Sequence, residues 1–187
     1  MPTSKELKSR MSKTEKDIQK LKDKLAKDTS LLFRVSFAEI FKEHKNLDSF
    51  AWTQYTPHWN DGDTCVFSAH KEYIYLNGAE EPESLWDIES FYKDLVQKDK
   101  VIKKLKTENT KLAKSKDSKW QIESNERRIK ELEEADVSKV EWKLKALRDI
   151  IDVMDSADDE VLLEMFSDHV KVVVTADGIE TESYEHD

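Results

Sequence analysis

The chain has few of the residues that break or cross-link a backbone: three glycines, three prolines and one cysteine among 187 residues. A single thiol, Cys65, excludes an internal disulfide and a cysteine-based zinc site, and with them a secreted disulfide scaffold or a zinc finger. No two glycines lie close enough to form a phosphate-cradling loop. No apolar run approaches the roughly 18 residues of a membrane span, and the stretch MPTSKELKSRMSKTEKDIQK is polar from its start. The expectation is a cytoplasmic protein with no membrane partner. What is abundant is charge: 38% of residues are charged and 37% hydrophobic. That balance suits one compact domain with a large share of solvated helix.

The net charge of -9 hides a segregation. Residues 1–28 carry nine basic and five acidic side chains and residues 98–119 carry nine and three, whereas 29–97 carry five and twelve and 120–187 eight and twenty. A uniformly basic surface is excluded. The two lysine-rich segments admit two readings. They are solvated helix faces, or they are phosphate-contacting stalks that would make nucleic acid a partner and bind in a salt-sensitive way.

Periodicity divides the chain. Leu7, Met11, Thr14, Ile18, Leu21 and Leu25 keep the alternating four-three step of a heptad seam, which predicts an N-terminal coiled-coil helix over 1–29. Thr29 or Ser30 can cap a second helix whose face carries Phe33, Phe37, Ile40, Phe41 and His44. From Phe50 the period becomes two, in FAWTQYT, TCVFSA and EYIYLNG, which reads as a three-stranded meander. Every glycine follows Asn or Asp, at Asp61-Gly62, Asn77-Gly78 and Asp177-Gly178, dipeptides that supply positive φ in tight turns. The last of these separates HVKVVVT from IETESYEH, a second hairpin. Between the two β regions runs a helical stretch that fails at KSKDSK and restarts at Ser118 with Gln121 as a capping box.

The outgoing leg, 83–116, and the return leg, 119–154, are of nearly equal length, each about 50 Å at 1.5 Å per residue. An isolated two-stranded ribbon is marginal in water, so the terminal hairpin should pair with the meander and the chain must return to where it left. An antiparallel helical hairpin satisfies this. Asn109, at a heptad position of its seam, is a residue type that sets register or oligomeric state. The expected fold is therefore α+β: a small antiparallel sheet (meander plus C-terminal hairpin) with packed helices, a long antiparallel helical hairpin and a preceding N-terminal helix. The expected division is 1–29, a head of 30–92 with 157–187, and a helical insertion of 93–156.

WTQYTPHWNDGDTCVF and the ending MFSDHVKVVVTADGIETESYEHD resemble a family of proteins encoded by tailed bacteriophages and some bacteria. The shared pattern is WTQYTP, two residues, NDGD, then C and F, with a carboxyl end built on DHV, a DG turn and a closing HD. The resemblance covers about a third of the chain and carries no activity, substrate or cofactor. It implies a bacteriophage protein acting in the host cytoplasm.

Three chemistries compete for this motif. His58, Asp61 and Asp63, with His186 and Asp187, offer ligands to a divalent metal ion, which a hydrolase or nuclease would use to activate water. Turn chemistry alone already explains NDGD. Cys65, in an expected strand next to Val66 and Phe67, reads as a small buried group rather than a nucleophile. The aromatics favour protein recognition instead, because Trp, Tyr and His beside a turn are the amphipathic anchors of interfaces. The reading carried forward is an accessory interaction protein without a cofactor, with a metal-dependent hydrolase or nuclease at the NDGD turn and nucleic-acid binding through the basic helices as the alternatives. The interaction protein binds a host or phage protein through Trp52, Gln54, Tyr55, His58 and Trp59, and its coiled-coil helices form a homo-oligomer.

Overall fold

A computed structural model describes residues 3–59, 61–114 and 118–185. The fold is α+β, with six helices and a small antiparallel sheet among the described residues. It divides into two compact units, residues 1–83 with 149–187, and residues 84–148. The helical unit thus begins and ends earlier than the expected 93–156.

Helix α1 spans Ser4–Glu43 without interruption. Thr3 caps it: its hydroxyl accepts from the Glu6 N–H while the Glu6 carboxylate accepts from the Thr3 N–H at 2.7 Å. The expected boundary at residue 29 is not there, and Thr29 and Ser30 lie inside the helix. Neither residue breaks a helix, and no glycine or proline separates the two periodic segments, so the first segment simply propagates into the second. From Ala26 onward α1 buries Phe33, Phe37 and Ile40. The Phe37 ring meets Phe50 edge-on at 5.0 Å and Phe41 stacks on Phe50 at 5.8 Å, so aromatic packing clamps α1 to the sheet.

The sheet is built around β1 (Ser49–Tyr55). Its neighbours are β2 (Ser68–Ala69), β3 (Tyr73–Leu76) and, on the other edge, β5 (Val170–Thr175), which pairs with β6 (Gly178–Ser183). A two-residue strand, β4 (Glu83–Ser84), completes the order β4-β3-β1-β5-β6. Pairing of the terminal hairpin with the first β region is as expected. The meander is corrected, because β2 and β3 both pair with β1 and form one interrupted return strand, Gln54 lying opposite Ala69 and Phe50 opposite Leu76. TCVF is not a strand. A central strand has no solvent edge, and β1 is buried from Phe50 to Gln54 on both faces. Helix α6 (Asp159–Phe166) covers the same face as α1, with Leu162 fully buried and Phe166 edge-on to Trp52 at 5.5 Å.

In the second unit, α2 (Leu85–Val96) and α3 (Lys98–Leu112) lead out, and α4 (Lys119–Glu134) leads back into α5 (Val137–Met154). This is the expected antiparallel hairpin. Leu95, Leu132 and Val140 form its core, with Ile88, Phe91 and Ile102 against them. Asn125 donates to Asn109 across the hairpin at 2.8 Å, so the seam asparagine is used within one chain. The Arg128 guanidinium lies 2.8 Å from Asp94 and 4.5 Å over the Phe91 ring. The Ser118 capping box does not form: the Ser118 hydroxyl donates to the Leu112 carbonyl instead and ties the loop end to α3. Among the described residues no helix is long and apolar enough to cross a membrane.

Candidate interaction site

Alternation along β1 puts Phe50, Trp52 and Gln54 on one face and Ala51, Thr53 and Tyr55 on the other. The first face is core. Trp52 and Gln54 are both 0% exposed, which corrects their assignment to a displayed surface. The reason is coverage by α1 and α6, which alternation cannot reveal. The Gln54 amide is fully employed: its oxygen accepts from the Trp52 indole at 3.2 Å, and its nitrogen donates to the carbonyls of Leu162 at 3.2 Å and Ser167 at 2.6 Å.

Tyr55, His58 and Trp59 lead off the end of β1 toward the surface. Tyr55 is half-buried, with its ring 4.4 Å from His70 and 5.6 Å from Tyr184. Burial, then the neighbouring Tyr184, Glu72 and Tyr75, push the Tyr55 phenol above its ordinary pKa. Tyr75 is raised by burial and Tyr184, and Lys171 sits 4.1 Å over its ring. His58 is exposed and stacks on His169 at 5.0 Å with an interplanar angle of 14°. Trp59 is 74% exposed.

The residues that meet this edge come from the turn between α6 and β5. Ser167 has φ 72° and ψ 177°, a region nearly reserved for glycine, and His169 has φ 55°. Asp168 lies between them. Its carboxylate accepts from the Thr56 N–H at 2.8 Å, the Thr56 hydroxyl at 2.7 Å and the His169 N–H at 2.8 Å. Burial alone would raise the Asp168 pKa, but the hydrogen bonds from Thr56 and His169 and the adjacent His169 charge outweigh it and leave the carboxyl below its ordinary value. The His169 carbonyl accepts from the Tyr184 N–H at 2.9 Å, which joins the turn to the tyrosine cluster. Nearby, the buried Nε2 of His70 has no hydrogen-bond partner among the described residues.

Asp168, His169 and Thr56 were not singled out from the sequence as site residues. Their one signal is DHV, which has no periodic or chemical meaning until β5 is placed beside β1. Of the metal-ligand set, Asp61 and Asp63 lie exposed in the turn, where Asp61 has φ 41° and Gly62 φ 95°, as expected of an Asp-Gly turn. His186 and Asp187 lie outside the described residues. Among the described residues, the group with three ligand atoms within 4.8 Å of one another is Glu43, His44 and Asp149, which includes neither His58 nor either turn aspartate. There, buried His44 already bonds Asp149 at 2.6 Å, closing the end of α1 onto α5. Cys65 is half-buried in an irregular segment. The lysines of α3 flank shallow open grooves, and Lys106 is engaged by Glu133 at 3.6 Å.

No family model, curated protein or solved structure matches this chain.

Proposed function

We propose that the chain is an accessory interaction protein that binds a protein partner at the edge formed by His58, Trp59 and His169. The observation that carries this reading is Trp59, an indole left 74% exposed beside a histidine stack. The stack leans on a turn whose backbone is held in a rarely populated conformation. Such strain persists where the surroundings over-determine it, and it concentrates where geometry serves recognition. A tryptophan brings large contact area with few rotamers to freeze, which is why it recurs as an interface anchor. The tyrosine cluster and Asp168 supply a polar rim. The resemblance to phage proteins supports a host or phage protein in the host cytoplasm as the partner.

The test is affinity capture from host cells with the wild type, Trp59→Ala and Trp86→Ala, followed by titration of the captured protein. Trp86 is a control, since it is equally exposed but lies on α2 in the other unit. Trp59→Ala is expected to weaken binding by about 2 kcal/mol, roughly thirtyfold, with the melting temperature unchanged. Trp86→Ala is expected to leave both unchanged. If every captured protein binds Trp59→Ala as tightly as the wild type, the reading is wrong.

A further inference from the structure

Helix α1 carries two apolar faces, and the head uses one of them. Ala26, Phe33, Phe37 and Ile40 are buried. The other face is the heptad seam Leu7, Met11, Ile18, Leu21 and Leu25, and in the structure it continues to Leu32 and Val35. These side chains are between 48% and 67% exposed. At 3.6 residues per turn, the centre of the seam lies about 100° around the helix from the centre of the buried face, and the two sets of positions do not overlap. A partner on the seam therefore leaves the packing against the head untouched. Residues 4–25 are exposed throughout, although most helical stability in proteins comes from packing an apolar face against a partner.

We propose that the seam of α1 pairs with α1 of a second copy of this chain in an antiparallel coiled coil. The proposal is independent of the head surface above. The polar seam residue Asp28 selects the orientation. A parallel pair in register would set Asp28 against Asp28 of the second copy and strand Leu32 and Val35 beyond that repulsive layer. An antiparallel pair centred between Gln19 and Lys20 sets Ile18 on Leu21, Leu25 on Thr14, Leu32 on Leu7 and Asp28 on Met11. Every seam residue from Leu7 to Leu32 then has a partner, Val35 falls opposite Ser4 at the end of the helix, and no like charges face each other in the core.

The flanks agree. At the same register Asp17 faces Lys24 of the second copy and Glu15 faces Lys22, each pair occurring twice by symmetry. Lys22 also lies 3.6 Å from Glu160 of its own chain, so Glu15 would approach a cation that α6 already holds in place. Leu31, 64% exposed beside the seam, comes against Arg10 of the second copy, whose aliphatic stem covers it.

Sedimentation equilibrium of the full chain at micromolar concentrations is expected to give twice the chain mass, and Ile18→Glu with Leu21→Glu to give the chain mass with the head still folded by near-ultraviolet circular dichroism. Both positions are solvent-exposed within one chain, so the double variant keeps its fold. Charge reversal tests the register. Asp17→Lys alone and Lys24→Asp alone each place like charges together and should weaken the dimer about tenfold, while the double reversal restores it. In a Cys65→Ser background, Leu7→Cys mixed with Leu32→Cys should form a disulfide between copies. A wild-type monomer, failure of the double reversal to restore assembly, or a Leu7→Cys chain that cross-links only to itself would overturn the proposal.

Discussion

Replacing Gln54 by alanine should destabilise the head more than any other polar substitution on β1. The side chain is 0% exposed and satisfies three buried groups at once: the Trp52 indole N–H and the carbonyls of Leu162 and Ser167. Each buried polar group left without a partner costs about 1–3 kcal/mol, so even the low end over three groups reaches about 3 kcal/mol. The cavity left by a fully buried side chain adds to this. The bond to Ser167 matters most, because at 2.6 Å it anchors the residue whose φ of 72° is the strained point of the turn. Against a total stability of order 5–15 kcal/mol, the loss is a large fraction. Urea unfolding followed by near-ultraviolet circular dichroism reads the head through Trp52, which stacks near Phe50 and meets Phe166 edge-on. Gln54→Glu should be at least as damaging, because a carboxylate faces two carbonyls with nothing to donate. A cost below about 1 kcal/mol for Gln54→Ala would refute the reasoning, since it would mean that water or a local shift replaces all three bonds.

The remaining expectations concern the turn, the hairpin and the two tryptophans of the motif. The Asp168 carboxyl lies below its ordinary pKa in the folded chain, so its stabilisation is fully present above the unfolded value and is lost as pH falls through the folded value. Acid titration of stability should therefore be shallower for Asp168→Asn; an unchanged acid limb would count against the role of the Thr56 and His169 bonds. Arg148 Nη2 lies 2.7 Å from Glu89 Oε1, so spin labels at these two positions should report a short intrachain distance, whereas one continuous helix would separate them by about 90 Å. Leu132→Ala should cost about 2–5 kcal/mol, because that side chain is fully buried at the centre of the hairpin core, and a loss under 1 kcal/mol in urea unfolding would contradict this packing. Trp52→Ala should cost about 3–5 kcal/mol and Trp59→Ala well under 1, and equal losses in thermal melts would show that the two indoles are not divided between core and surface.

Residue order alone determined the elements whose reason is local. The heptad spacing, the scarcity of glycine and proline, and the equal lengths of the two helical legs made the long helices and the antiparallel hairpin legible, and the alternation in FAWTQYT made β1 legible. The Asp-Gly and Asn-Gly dipeptides marked the turns correctly, although Gly178 does not take the positive φ that Gly62 and Gly78 adopt. What only the tertiary structure decided is which side of each periodic element faces protein. Alternation on β1 reads the same whether one face or both are covered, so Trp52 and Gln54 could not be told from Tyr55 until α1 and α6 lay over them. The seam of α1 and the seam of α3 look alike in sequence, yet α3 packs on α4 while the seam side chains of α1 stay exposed among the described residues. Asp168 and His169 entered the site for the same reason. Their chemistry depends on a contact with Thr56 and His58 across more than a hundred residues, created by β1 and β5 lying side by side, and no local pattern encodes a pairing at that separation.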